Sequence, residues 1–186
     1  MVNTIYGLIW AGILIKWGDW KNWRKYYPTV LFFILGDFLY MYLLSDHYPM
    51  WKYSPSPGDN DMGITNTHIS FSIMAIKYPA TCLAYLAHFP TQGLWKKVLY
   101  YLAWVIVYFA NELVDIHFQL IKYFNGWNLW WSALFNSVMF LILKLHFHNP
   151  LFAWIASAVF VLFLWKVFSK MLRYSIGATY CMRIIF

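Results

Sequence analysis

Residues 68–88 read HISFSIMAIKYPATCLAYLAH, an almost continuous apolar stretch with one Lys or Arg, Lys77, near its centre. A stretch of about 20 such residues is long enough to cross the roughly 30 Å hydrocarbon core of a bilayer as a helix. A lysine at the centre of a bilayer costs about 2.5–3.5 kcal/mol on insertion scales. The stretch therefore predicts a transmembrane helix in which Lys77 has a structural or a functional reason to be buried.

The composition of the whole chain indicates an integral membrane protein. Of its 186 residues 62% are hydrophobic and only 11% are charged, whereas soluble domains average about 25% charged residues. The formal net charge is +7, and the basic residues cluster at the ends of apolar stretches, which indicates anionic lipid as their partner rather than nucleic acid. The two cysteines, Cys82 and Cys181, predict neither a disulfide nor a metal site.

Six apolar stretches predict an all-α polytopic transmembrane helix bundle that forms one domain, residues 1–186. The predicted spans lie near residues 2–16, 29–44, 67–88, 98–122, 127–145 and 151–170. Helix breaks are expected at Gly18, Pro28, Asn125-Gly126 and Asn149-Pro150. The longest connection, residues 45–66, is predicted to be a structured or mobile loop. Because the first stretch is short for a span, an arrangement of five spans is the alternative.

Basic side chains predict the orientation of these spans. They concentrate in the first, third and fifth connections, which the positive-inside rule assigns to the cytoplasm. Both termini and loop 45–66 would then lie outside. Basic residues in the C-terminal tail disagree, which leaves open five spans with a cytoplasmic C-terminus. The first stretch has no basic region or cleavage site of a secretory leader, so it is expected to stay in the mature protein.

Polar side chains recur at helical spacing within four of the predicted spans. The fourth span carries the fullest stripe, and its members are Tyr108, Asn111, Glu112, Asp115, Gln119 and Lys122. Steps of three and four residues keep such side chains on one face of a helix. The simplest packing turns the polar faces toward each other around a charged cavity in the middle of the membrane. The candidate ligand-binding, ion-binding or proton-relay residues are Asp37, Lys77, Asn111, Glu112, Asp115 and Asn136.

Acidic residues outnumber the lysine at this depth. Asp37, Glu112 and Asp115 face a single Lys77, and buried carboxylates without a partner take up a proton or bind a cation. The sequence predicts that Lys77 pairs with Glu112 or Asp37. The structural alternative is a set of interhelical hydrogen bonds, each contributing about 0.6–2 kcal/mol. Pro79 predicts a broken helix beside Lys77, because proline removes a backbone hydrogen bond.

Two patterns resemble metal sites without completing one. Asn111-Glu112 followed by Asp115 is similar to the acidic motifs with which intramembrane prenyltransferases hold magnesium and a diphosphate, but those enzymes use two motifs. His146 and His148 are expected in a turn before Asn149-Pro150, where no third ligand is close in sequence. The sequence therefore predicts no metal and no cofactor.

These observations favour a transporter, a channel or a membrane protein that binds an ion, a proton or a small molecule. One alternative is a structural or accessory subunit whose charges hold helices, a second copy of the chain or a membrane partner. Another is an intramembrane enzyme that acts on a lipid-linked substrate. The residues do not decide among these classes.

Several segments resemble a known family. They are NGWNLWWS at residues 125–132, HFHNPL at 146–151 with Trp154, Gly36-Asp37, and Pro49-Met50-Trp51. Together they resemble small multi-span membrane proteins of endospore-forming Gram-positive bacteria, a family named after an uncharacterised clostridial locus. The resemblance covers nearly the whole chain apart from residues 177–186. It implies a multi-pass protein of the bacterial cell membrane with a link to sporulation, and it carries over no reaction, substrate or site residue.

Overall fold

The computed structural model describes the backbone of residues 2–43 and 48–183, and the side chains within these ranges apart from residues 2, 57, 60 and 169–183. In this part of the chain six long helices and two short strands form the fold. The helices are α1 (Val2–Trp17), α2 (Trp23–Leu43), α3 (Asn66–Ala87), α4 (Leu94–His117), α5 (Leu129–His148) and α6 (Pro150–Arg183). The strands are β1 (Trp51–Tyr53) and β2 (Ile121–Tyr123). The architecture is the predicted all-α bundle.

Helix α3 lies at the centre of the bundle and changes its hydrogen-bonding pattern halfway. It is α-helical over Asn66–Ser72, π-helical over Ile73–Lys77 and α-helical again over Tyr78–Ala87. Pro79 explains the wider turn, because its ring would clash with the carbonyl four residues earlier in a regular helix. The break predicted from Pro79 is therefore present as a π-helical turn that ends at Lys77. Helices α1, α2 and α5 pack around α3.

The helices alternate in direction, which gives the bundle two ends. A hydrogen bond from Asn3 to Asp59 places the start of α1 beside the second connection. The pairing of β1 with β2 joins the second connection to the fourth. We call this the loop end, residues 48–65 and 118–128. The opposite end, with residues 18–22, 88–93 and 149, is called the basic end.

The two strands close the loop end. They are antiparallel, and Lys52 lies opposite Lys122. The hydroxyl of Tyr40, on α2, accepts hydrogen bonds from the backbone N–H groups of Met50 (3.0 Å) and Trp51 (2.8 Å) and donates one to the Trp51 carbonyl (2.7 Å). The Trp51 ring stacks on the Tyr40 ring with centroids 4.0 Å apart. One hydroxyl thus fixes the start of the sheet against the bundle.

The outer surface of the helices is apolar, as expected of a protein that lies in lipid. Large hydrophobic side chains are exposed along α1, α2, α4, α5 and the described part of α6, whereas the central helix α3 exposes only Phe71. Five stretches are long and apolar enough to cross a membrane, namely Trp20–Leu43, Asn66–Ala87, Leu94–His117, Leu129–His148 and Pro150–Phe168. Helix α1 has only 16 residues, and about 20 are needed for a full span. The structure is that of a multi-pass membrane protein.

Several predicted boundaries were wrong. The span predicted over 98–122 ends at His117, because Gln119 adopts a left-handed backbone (φ 56°) that turns the chain into β2. Gln119 and Lys122 therefore do not extend the polar stripe of α4. Pro28 lies inside α2 instead of before it.

The ends of α5 and α6 also differ from the prediction. His146 and His148 belong to the last turn of α5 and not to a turn between helices. Pro150 opens α6, since proline is tolerated in the first turn of a helix. The side chains of Cys181 and of the basic residues beyond residue 168 lie outside the described residues. The assignment of the basic end to the cytoplasm stays a prediction.

Candidate functional site

Lys77 lies against two aromatic rings near the middle of the bundle. Its ammonium nitrogen is 4.8 Å from the ring centroid of Tyr108 on α4 and 5.4 Å from that of Trp10 on α1. Both aromatic residues are more than nine-tenths buried. A cation over the face of an aromatic ring gains about 0.5–2 kcal/mol, the larger values applying where water is excluded. The rings therefore stabilise the charge of a lysine that the bilayer disfavours.

Hydrogen bonds hold the Tyr108 ring in place under the ammonium. The Thr81 hydroxyl donates to the backbone carbonyl of Lys77 at 2.7 Å, so the Tyr108 hydroxyl is the donor in its 2.5 Å bond to Thr81. Trp10 meets Tyr108 edge to face, with ring centroids 5.8 Å apart. The carbonyl that Thr81 satisfies lies at the end of the π-helical turn. The turn that breaks α3 thus also positions the aromatic rings.

The lysine lines a cavity of about 570 Å³ between α1 and the first half of α3. Most of the surface of the cavity wall is apolar, and the loop end covers one side through Met62, Gly63 and Ile64. The polar and aromatic residues in its wall are Asn3, Thr4, Tyr6, Trp10, Tyr53, His68, Ser72, Lys77, Asn111 and Asp115. Three of the six predicted site residues, Lys77, Asn111 and Asp115, therefore share one cavity.

Asp115 is the acid of this cavity, and it already has a partner. The Asn111 amide donates a hydrogen bond to its carboxylate at 2.8 Å. The Tyr6 hydroxyl, from α1, donates to the backbone carbonyl of Asn111 at 3.4 Å. Asp115 is buried, with 9% of its surface exposed. The pair on α4 therefore presents a fixed carboxylate toward the cavity.

Tyr53 completes the polar end of the cavity and was missed by the sequence analysis. It belongs to β1, and its hydroxyl lies within electrostatic reach of Asp37, Asp115 and Glu112. Burial, and then the three carboxylates, raise the pKa of Tyr53 well above its ordinary value. The hydroxyl therefore stays protonated and remains a hydrogen-bond donor. Nothing in the sequence distinguishes Tyr53 from the many other tyrosines of the chain.

Glu112 belongs to a separate hydrogen-bonded group near the sheet. Its two carboxylate oxygens accept bonds from the Tyr123 hydroxyl at 2.5 Å and from the Asn136 amide at 3.3 Å. Ser132 donates to Tyr123 at 3.4 Å and accepts a 2.8 Å bond from the Trp127 indole. The group joins α4, α5 and β2. Glu112 and Asn136 thus connect secondary-structure elements and do not line the cavity.

Asp37 also lies apart from the cavity. One of its carboxylate oxygens is buried without a hydrogen-bond partner among the described residues. The aromatic side chain of Tyr78, on α3, lies close to this carboxyl group. The six predicted site residues are therefore divided among three places, the cavity, the group at Glu112 and the surroundings of Asp37.

The predicted ion pair of Lys77 is not formed. Among the described residues no carboxylate oxygen lies within 4.0 Å of the Lys77 ammonium. Glu112 is directed toward Tyr123 and Asn136 instead. Hydrogen bonds from hydroxyl and amide groups satisfy this acid, and ring faces satisfy the lysine. The three acids and Lys77 interact only at longer range.

The loop over the cavity is tied down at Asp59. This side chain is fully buried, and its carboxylate accepts hydrogen bonds from Ser56 (2.5 Å) and Asn3 (3.0 Å). Burial by itself would raise the pKa of Asp59, but hydrogen bonds, including those from Ser56 and Asn3, outweigh it and lower the pKa to about 2. Because Asn3 lines the cavity, this contact couples the loop to its wall.

We expect Asp59→Ala to lower the free energy of unfolding by about 1–3 kcal/mol, because buried donors lose a charged acceptor. The folded pKa is depressed, so the contribution is complete above an unfolded pKa of about 3.9 and is lost as the pH falls toward 2. Thermal unfolding in detergent at several pH values measures it. Asp61→Ala, at an exposed acid two residues on, is the control. An equal loss in both variants, or a loss independent of pH between 7 and about 2, would contradict the role of Asp59.

Histidines do not gather into a site in the described part of the chain. No group of three or more His, Cys, Asp or Glu side chains there could hold a metal ion. His146 is buried between helices, where its Nδ1 atom is 3.0 Å from the Thr29 hydroxyl and its ring stacks on Phe32. A further histidine that the sequence offers as a metal ligand, His47, lies outside the described residues.

Comparison with known proteins adds no relative. No family model, no curated protein and no solved structure matches the chain.

Proposed function

We propose that this protein is an integral membrane protein that binds a small amphipathic molecule in the cavity between α1 and α3. One observation carries the proposal, namely a cavity that contains a lysine with no ion-pair partner among the described residues. The ammonium of Lys77 is held between Trp10 and Tyr108, close to where the polar side chains of the cavity gather.

The size of the cavity favours a molecule over a bare ion. Its volume of about 570 Å³ lies within the roughly 300–1,000 Å³ typical of small-molecule sites. A water molecule occupies only about 30 Å³ in the liquid. A single proton or bare metal ion would occupy only a small part of this space.

The lining of the cavity indicates an amphipathic ligand. The surface of the wall is mostly apolar, with Leu8 and Ala11 from α1 and Ile69 and Ile73 from α3, while Lys77 and the Tyr53 hydroxyl supply hydrogen-bond donors. A carboxylate head group matches these donors best, because a charge-assisted hydrogen bond is about twice as strong as a neutral one. The Asn111 amide donates a hydrogen bond to Asp115, and the ammonium of Lys77 is the positively charged donor in the cavity wall.

Part of the cavity wall is exposed on the flank between α1 and α3. Leu8 on α1 and Ser72 on α3 belong to its wall and are exposed, and Ile5 and Phe71 beside them are also exposed. Exposed apolar side chains around an opening are typical of a surface that faces lipid. The ligand would therefore enter from the bilayer, with its chain between α1 and α3.

Photolabelling in nanodiscs of neutral lipid tests the proposal. The probes are a fatty acid with a diazirine in its chain, and the alcohol and the alkylammonium of the same length. We expect the carboxylate to label α1 and residues 66–77 at lower concentration than the alcohol, and the ammonium to label them least. Uniform labelling of all helices, or the same labelling with all three head groups, would show that the cavity does not select this ligand.

The geometry gives less support to the other functions. In the acidic motif on α4, Asp115 lines the cavity whereas Glu112 binds Tyr123 and Asn136. The two carboxylates therefore do not converge as they would to hold magnesium and a diphosphate. Transport of the ligand, a bacterial cell membrane and a link to sporulation remain predictions from the sequence.

A further inference from the structure

Two lysines from different helices share one aromatic ring at the basic end. The ammonium of Lys25, on α2, is 5.3 Å from the ring centroid of Phe147, and that of Lys144, on α5, is 5.7 Å from the same centroid. Lys144 is also 4.1 Å from the centroid of Phe89, in the connection between α3 and α4. Both ammonium groups thus lie against the same ring, and the charge of Lys25 acts on Lys144.

A third positive charge completes the cluster. Lys97, near the start of α4, lies close enough for its charge to act on Lys144, as does the charge of Lys25. Among the described acidic residues only Asp19 lies at the basic end. Its carboxylate accepts hydrogen bonds from Asn22 (3.0 and 3.2 Å) and Tyr26 (3.0 Å) and reaches Lys25 only at longer range. Among the described residues, the three lysines therefore have no carboxylate in direct contact.

We propose that Lys25, Lys97 and Lys144 form a binding site for a phosphate group at the border of the membrane. Three ammonium groups from three helices repel each other, and an anion between them offsets this repulsion. Basic pockets between membrane helices bind lipid head groups in this way. This site lies at the opposite end of the bundle from the loop end and does not depend on the ligand of the Lys77 cavity.

The phosphate could belong to a lipid head group or to a soluble anion, and two probes separate these sources. Nanodiscs of phosphatidylcholine carry a titrated fraction of phosphatidic acid in one experiment. In the other they stay neutral and receive inorganic phosphate. Retention of phosphatidic acid is measured by native mass spectrometry, and soluble phosphate is measured by protection of the lysines from acetylation. Binding of either probe through these lysines supports the site, and the stronger binder identifies the source.

We expect the double variant Lys25→Gln with Lys144→Gln to weaken phosphate binding by about 25-fold, at about fivefold for each lysine. Lys96→Gln removes an exposed lysine beside Lys97 and is the matched control, for which we expect less than a twofold change. Lys144→Arg keeps the charge and should retain binding. If Lys144→Arg binds the phosphate probe, the loss of binding in the double variant comes from the missing charges and not from misfolding.

Two results would overturn the proposal. One is an equal loss of binding in Lys96→Gln and in the double variant, which would indicate a diffuse positive surface. The other is no preference of the native protein for either phosphate probe over neutral lipid alone.

Discussion

Replacing Lys77 by Met will weaken binding of the fatty acid probe by about 100-fold and leave the protein folded. Truncating one partner of a buried, hydrogen-bonded charge pair costs about 2–5 kcal/mol, so the loss of the ammonium corresponds to at least a 30-fold change in affinity. Stability should change little, because the loss of the contacts to Trp10 and Tyr108 is offset by removal of a lysine that costs about 2.5–3.5 kcal/mol in the bilayer. Photolabelling and thermal unfolding measure the two effects.

Lys122→Met is the matched control for this variant. Lys122 is exposed on β2 at the loop end and does not line the cavity, so the variant should bind as the native protein does. If Lys77→Met binds the probe normally, the cavity does not recognise a carboxylate. If Lys77→Met is unfolded while Lys122→Met is folded, the lysine and its two rings hold the bundle together, and the structural alternative is correct.

Replacing Glu112 by Ala will have the opposite effect and destabilise the fold by about 2–5 kcal/mol. The change leaves the Tyr123 hydroxyl and the Asn136 amide without their acceptor, and each buried group left unsatisfied costs about 1–3 kcal/mol. The loss should appear as a lower Tm in detergent and as faster proteolysis of the loop end, because Tyr123 lies in β2. Probe binding should fall only in proportion to the folded fraction.

Two control variants show whether the loss of stability is specific to the carboxylate of Glu112. Glu112→Gln keeps one oxygen acceptor and should lose less stability than Glu112→Ala. Leu113→Ala changes the next, exposed residue of α4 and should have a small effect on Tm. If the Glu112→Ala variant is stable but is no longer labelled by the probe, Glu112 takes part in binding the ligand, which would contradict its structural role.

Much of the fold follows from the sequence because apolar length and helix breaks are local properties. Stretch 67–88 was predicted within one residue at each end, and the structure gives Asn66–Ala87. The boundaries that were wrong depend on turns and caps. Asn128 illustrates this, because its side chain accepts hydrogen bonds from the N–H groups of Trp130 and Trp131 and starts α5 at Leu129. A hydropathy pattern contains no information about such bonds.

The candidate site was predicted only in part. Helical spacing placed Asn111 and Asp115 on one face of α4, and the structure brings both to the cavity of Lys77. The same spacing also predicted Glu112 as a member of this group. In the structure its carboxylate accepts a hydrogen bond from Tyr123 on β2 and does not line the cavity. Trp10 and Tyr53 come from distant segments, and only their packing identifies them as part of the site.

The sequence by itself determined that this is a membrane bundle with a lysine and three acids at its interior. A charged residue within an apolar stretch can be recognised from the sequence, because the neighbouring residues in the chain show that the stretch crosses the membrane and that the charge is costly there. The tertiary structure decided how each charge is satisfied. Lys77 lies on aromatic rings, Glu112 joins the sheet and Asp115 lines a cavity. Those partners lie on other helices and strands, so the distances between elements, and not the order of residues, determine what each charge can do.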